Sequence, residues 1–306
     1  MKTVKRAAAL LLALILLAGY GGSVGCAAPA EKEEELPVLL LPEASGKAVQ
    51  KNTRAEIDYS NTADGYVMAR FTASTDKRLK VQITGPSTTY SYDLPAGSWV
   101  TFPLSDGDGQ YKVMVAENTT GTKYAVVVSV SFQVKLTDEF APFLRPNQYV
   151  DYSAAPNSVK KAAELTKDIT DPLEKVAKVY DYVIGELTYD KEKAKNVKSG
   201  YLPVLDSVLE AKEGICFDYA SLMAGMLRSQ GVPCKLVVGY AGTTNPVYHA
   251  WISVWTKENG WVEQVVYFDG QTWQRMDPTF ASSGKSSESI MKYIGNGSNY
   301  TAKYLY

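Results

Sequence analysis

The sequence predicts an α+β protein, in which an all-β, sandwich-like segment precedes one that mixes helices and strands. Three observations carry this. Between about 55 and 135 the chain runs in short alternating stretches such as "GYVMARFTA", "RLKVQITG", "TYSYDL", "SWVTFPL", "QYKVMVAEN" and "KYAVVVSVSFQVKL". They are rich in Val, Tyr, Phe and Thr and separated by turn stretches such as "SDGDG" and "NTTGT", the pattern of an antiparallel sandwich. After the junction "APFLRPNQYVDY" at 141–152 the apolar spacing becomes helical, and from "CKLVVGYA" onward it returns to strand.

The elements follow in order. "MKTVKR" and the apolar run 7–19 open the chain. At ~1.5 Å per residue that run covers about 20 Å, short of the ~30 Å hydrocarbon core, and reads as a signal peptide over 1–25. "GSVGC" then presents Cys26 after small residues, followed by the acidic "AAPAEKEEE". This resembles a bacterial lipoprotein signal, with Cys26 the lipidation site, although Ser23 stands where a leucine-like residue is usual. Cleavage after Ala30, releasing a free secreted protein, is the alternative. Residues 26–50 read as a tether, 51–140 as the β-sandwich-like domain and 141–306 as a second, catalytic domain. Within the latter, helices are expected at 158–169, at 171–187 (opened by Asp171-Pro172), in 204–212 and over 215–229.

Composition excludes several functions. With 32 Lys plus Arg against 33 Asp plus Glu and no basic run, the clustered positive surface that nucleic acid demands is missing. One histidine and the spaced cysteines Cys216 and Cys234 are too few for a tetrahedral zinc site, and no metal or cofactor is expected. A disulfide between those cysteines is disfavoured, since one opens a helix and the other a strand.

Those positions carry the chemistry. Cys216 stands at the first turn of "EGICFDYASLMAGMLRSQGVP", where unpaired N–H groups and the macrodipole favour a thiolate and could hold an oxyanion. His249, the only histidine, lies in the strand-like "PVYHAWISVW", where alternation puts it on one face with Trp251, Ser253 and Trp255. Asp277 ends the strand-like "QTWQRMDPTF" and could orient an imidazole. Singly each is ordinary: cysteine is a common core residue, a lone histidine is more often structural, and Asp-Pro is often a turn.

Together, "GICFDYASLMAGMLRSQGVP", "GYAG", "YHAWISVW" and "WQRMDPTF", in this order, resemble the transglutaminase-like superfamily over roughly 143–306. The resemblance implies a papain-like α+β core, the Cys-bearing helix packed on an antiparallel sheet. Cys216 is then the nucleophile, His249 the general base and Asp277 its orienter. "LTYDKEKA" resembles the segment before the nucleophile and makes Tyr189 an oxyanion or cleft candidate, with a core role equally open. Asp218 is expected to tie down the helix start, and Cys234 to be an inert strand thiol. Lacking a dense acidic loop, the chain is not expected to share the calcium dependence of animal transglutaminases.

The expected function is acyl transfer through a thioester on a protein or peptide substrate, cell-wall-associated material being one candidate, outside the cell and at its membrane through Cys26. Hydrolysis of peptide or amide bonds is the first reading; crosslinking of glutamine to amines and a catalytically silent surface binding module are the alternatives. Activity should need the thiolate–imidazolium pair and fall as His249 loses its proton. The roles of the β segment, as spacer or substrate recruiter, and of the tyrosine-rich "YIGNGSNYTAKYLY", as core or cleft lining, stay open at this point.

Overall fold

The computed structural model describes residues 39–241, 246–257, 260–262, 266–268, 273–275 and 300–306. All belong to one unit, Leu36–Tyr306. Eight strands come first: β1 (Val49–Lys51), β2 (Ala55–Asp58), β3 (Tyr66–Phe71), β4 (Leu79–Thr84), β5 (Thr89–Asp93), β6 (Val100–Pro103), β7 (Gly109–Thr120) and β8 (Lys123–Val134). They form two four-stranded antiparallel sheets, ordered β1-β2-β3-β6 and β5-β4-β7-β8. The period of two explains the packing. Leu79, Val81 and Ile83 of β4, Tyr90 and Tyr92 of β5, and Tyr111, Val113 and Val115 of β7 are buried, while Lys80, Gln82 and Ser91 between them are not.

The six sequence-expected strands are all present, and β1 and β2 are additional. The end of the expected tether is bound to the sheets: Gly46 N–H donates to Asp58 Oδ2 (2.7 Å) and Ala48 N–H to Ser60 Oγ (2.7 Å). The side chains that recruit this stretch lie beyond it, out of reach of a local reading.

The second half builds α1 (Pro156–Leu165), α2 (Pro172–Glu186), β9 (Thr188–Tyr189), α3 (Lys191–Asn196), α4 (Leu205–Ala211), β10 (Glu213–Gly214) and α5 (Cys216–Ser229). Then come β11 (Cys234–Ala241), β12 (Val247–Thr256), β13 (Gly260–Val262), β14 (Val266–Phe268), β15 (Trp273–Arg275) and β16 (Tyr300–Leu305). At the start of α2 the Asp171 carboxylate accepts from the N–H groups of Leu173 and Glu174, with Pro172 in the first turn, as the sequence indicated. The expected helix over 158–169 starts two residues earlier, at Pro156, and stops at Leu165; Asp168 beyond it has a φ of 61°, a conformation no α-helix continues through.

An antiparallel sheet in the order β13-β12-β11-β16 is the platform of this half. Helix α5 is buried along nearly its whole length, from Asp218 to Ser229, and packs on β11 and β12. This is the α+β arrangement expected, a Cys-bearing helix on an antiparallel sheet. Near its end Arg228, also buried, donates to three carbonyls: Cys234 (2.8 Å), Arg145 (2.9 Å) and Tyr306 (2.5 Å). It thereby ties helix, sheet and the 300–306 segment together.

The two halves share one hydrophobic core. Tyr92 meets Phe102 (4.9 Å between ring centroids), Tyr149 (5.5 Å) and Tyr306 (5.7 Å), and Tyr90 meets Tyr304 (5.8 Å) and Tyr306 (5.7 Å). Such edge and stacked pairs each contribute ~0.5–1.5 kcal/mol beyond area burial. Of the tyrosine-rich tail, Tyr304 and Tyr306 thus pack into this core.

Candidate active site

The nucleophile candidate is placed by a short piece of sheet. β9 and β10 pair in parallel, Tyr189 against Gly214, and the chain turns at Ile215 into α5. Cys216 is the first residue of the helix and half-buried. The first i→i−4 bond runs from Tyr219 N–H to the Ile215 carbonyl (3.1 Å), so the N–H groups of residues 216–218 stand ahead of the helical ladder. Partial positive charge gathers there and favours an anion.

Asp218 fixes this start. Fully buried, it accepts the Ile215 N–H at Oδ2 (2.8 Å), Lys193 Nζ at Oδ2 (2.7 Å) and the Tyr201 hydroxyl at Oδ1. Burial alone would lower the Lys193 pKa, but its bonds to Asp218 and Tyr201 outweigh that and raise it. Burial and the Asp218 carboxylate both raise Tyr201. Gly214 is required for close approach, because a Cβ there would lie 2.6 Å from the Asp218 Cβ. The expectation that Asp218 ties down the helix agrees with this geometry.

His249 is delivered by β12, buried, opposite Gly239 of β11. Its ring lies 6.4 Å from those of Trp251 and Tyr300. At Gly239 the β11–β16 pairing shifts register, and a Cβ there would sit 2.1 Å from the Thr301 carbonyl oxygen.

Cys216, His249 and Tyr189 line one cleft of about 600 Å³. Aromatic walls come from Tyr149, Tyr201, Phe217, Tyr248 and Tyr306. The segment 197–202 forms a strap along one side, with the Gly200 backbone close to the Asp93 carboxylate. The remaining wall belongs to the β-sandwich: Lys80 of β4, and Ser91 and Asp93 of β5. Gln148 joins the halves by donating Nε2 to the Asp93 carbonyl (2.6 Å).

Of the sequence-derived candidates, Cys216, His249 and Tyr189 therefore share a cleft, while Asp277 and Cys26 lie outside the described residues. Cys216 and Cys234 are both free. Cys234 is buried, and burial pushes its thiol up to about 12. Among the described residues no three His, Cys, Asp or Glu side chains gather to hold a metal ion. Sequence reasoning missed the β-sheet wall, the strap and Gln148, since no local pattern marks residues brought together across the chain.

Residues 159–278 match the family model described as the transglutaminase-like superfamily core. This part of the chain, under half of its length, is similar to the core of that superfamily. The chain is 25% identical over 195 residues to the "uncharacterized protein YebA" of Bacillus subtilis, covering 58% of this chain and 26% of YebA. It is 28% identical over 109 residues to a protein-glutamine gamma-glutamyltransferase of Pseudomonas aeruginosa, covering 32% of this chain and 14% of that protein. The chain thus spans well under half the length of these two relatives. The periplasmic domain of TgpA from Pseudomonas aeruginosa, bound to ethylmercury, superposes with a TM-score of 0.36 at 19% identity, covering 80% of this chain and 78% of that one.

Proposed function

We propose that this protein is a thiol enzyme that transfers acyl groups through a thioester, and that water is the usual acceptor, making it a hydrolase of peptide or amide bonds. The observation that carries this is the shared cleft of Cys216 and His249, with the thiol at the start of a buried helix. In the first step the Cys216 thiolate attacks the amide carbonyl, and N–H groups at the α5 start stabilise the oxyanion. As the C–N bond breaks, the His249 imidazolium gives its proton to the leaving amine, and the acyl group stays on sulfur. Water then attacks the thioester, its proton passing to His249, and carboxylate and thiolate are released. Asp277 is assigned the orienting role for His249 on the family resemblance. Tyr189, which lines the cleft, is assigned to the oxyanion side.

A second acceptor has one observation behind it: the similarity to a protein-glutamine gamma-glutamyltransferase. If an amine replaces water, the same thioester gives a crosslinked amide. Incubating the protein with a glutamine-bearing peptide and a fluorescent amine decides between the two. Release of ammonia and free acid without adduct supports hydrolysis; stable fluorescent adduct forming faster than acid overturns it in favour of transamidation.

The proposed location is the outer face of the membrane, through a lipid on Cys26. Among the described residues no helix is long and apolar enough to cross a membrane. Cys26→Ser in the producing cell should move the protein from the membrane fraction to the medium or periplasm; retention in the membrane would argue against this location.

A further inference from the structure

The cleft carries a charge that the acyl-transfer chemistry does not use. Among its described lining residues the lysine, arginine and carboxylate side chains are Lys80, Asp93 and Lys198. Asp93 is already engaged: Arg78 clamps it through Nε to Oδ1 (2.6 Å) and Nη2 to Oδ2 (2.6 Å), and this pair holds its carboxyl below the usual range. Lys80 stands across the β4–β5 ladder from the same carboxylate. Arg78 and Lys80 around one aspartate leave one positive charge on the sandwich side. Lys198, exposed on the strap, adds another. The lysines come from opposite halves of the molecule and both line the cleft that Cys216 borders; the Lys80 ammonium also stands 5.8 Å from the centroid of the Tyr124 ring, a weak contact that leaves its charge in place. In such a cleft, low-dielectric walls focus the field and raise the local concentration of anions.

We infer that the cleft selects an acidic peptide as acyl donor, with a carboxylate beside the scissile amide read by Lys80 of the sandwich and Lys198 of the strap. The inference rests on the acyl-transfer reading for the placement of the reacting carbonyl at Cys216. It also gives the sandwich a direct part in specificity, in place of a spacer. The contact between the halves makes deletion of the sandwich a poor test, because Tyr90 and Tyr92 pack under Tyr306. Charge-removing point variants keep the core intact: Lys80 is only half-buried and Lys198 is exposed.

The test uses the reactive thiol as its own probe. Iodoacetate and iodoacetamide alkylate by the same displacement and differ chiefly in charge, so the ratio of their rates at Cys216 reports the local potential. The intact chain, Lys198→Gln, and Lys80→Gln/Lys198→Gln would be labelled at low salt, with the adduct on Cys216 located by peptide mass spectrometry. The iodoacetamide rate in each sample is the internal reference. Removing two positive charges from the cleft lining should lower the iodoacetate-to-iodoacetamide ratio roughly threefold or more, with the single variant in between. The difference should shrink in 0.5 M salt, where the Debye length falls to about 4 Å. A matched pair of glutamine-bearing peptides, one with Glu and one with Gln beside the reactive residue, should show the same preference and the same loss. An unchanged ratio on a reactive Cys216, or equal turnover of the two peptides, overturns the acidic-donor inference alone. A Cys216 that reacts with neither reagent faster than an unfolded thiol overturns the acyl-transfer reading, and this inference with it.

Discussion

Gly239 stands directly across the β11–β12 ladder from His249, and on its other side β16 presses in so closely that no side chain fits. The sole histidine thus faces, across the ladder, a residue that has no side chain. Gly239→Ala would drive a methyl group into the Thr301 carbonyl and force β11 and β16 apart. The expected cost is about 2 kcal/mol, in the range of an overpacked core site, together with slower alkylation of Cys216 as His249 is displaced. Urea titration and iodoacetamide labelling measure the two effects. A variant as stable as the parent would show that β16 yields without strain.

The Asp218 carboxylate holds the Ile215 N–H, Lys193 and Tyr201 at once. Asp218→Ala leaves Lys193 half-buried without this anion and the helix start without its cap. A loss of about 3 kcal/mol is expected, as for breaking one partner out of a buried pair. Tyr201→Phe removes one of three contacts and should cost about 1 kcal/mol. Denaturant midpoints at constant slope would check both. Equal effects from the two substitutions would mean that the carboxylate is not the hub.

Thiol chemistry tests the pairing in the cleft. At mildly acid pH, limiting iodoacetamide should label Cys216 ahead of Cys234, and His249→Ala should slow that labelling on the order of 10²-fold. Cys216→Ala should abolish turnover. Labelling indifferent to His249 would leave a fold of this family without its chemistry.

Stability should fall on the alkaline side. In the unfolded chain a thiol ionises near its ordinary value of 9.0, whereas folded Cys234 is raised to about 12 by burial. Between those values the folded state binds the extra proton, so rising pH favours unfolding, by up to ~1.4 kcal/mol per pH unit for this one group. The stability is fully present below pH 9 and is lost as pH climbs toward 12. Tyr92, Tyr149 and Tyr306, raised chiefly by burial, add to the loss above pH 10. Guanidinium midpoints from pH 7 to 11 would show it, and Cys234→Val should flatten the first part of the decline. A profile level to pH 11 would contradict the burial of these groups.

What the sequence made legible was local. The alternation of β4, the Asp171-Pro172 start of α2 and the apolar spacing of α5 each follow from neighbours a few residues apart, and Cys216 and His249 could be read from their place on such elements. What stayed hidden depends on distant partners. Helix α3, "KEKAKN", shows no apolar period, and its cap is Asp190, which accepts from Lys193 N–H (2.7 Å). Strands β9 and β10 span two residues each and are defined only by pairing with one another. Arg228, in the last turn of a helix, reads as a solvated cation until three carbonyls from 145, 234 and 306 close around it. The strap's docking against Asp93 spans more than a hundred residues, and no periodicity encodes it.

The segment 300–306 closes the β11 edge of the sheet, places Tyr306 in the cleft wall and supplies a carbonyl to Arg228. These contacts are made by the part of the described chain that leaves the ribosome last. A nascent chain can therefore hold all of β1–β8 and α5 while the thiol, and Tyr90 and Tyr92 of the sandwich, still lack the contacts of Tyr306. The wall around Cys216 is thus complete only once residues 300–306 have paired with β11, well after α5 itself has been made.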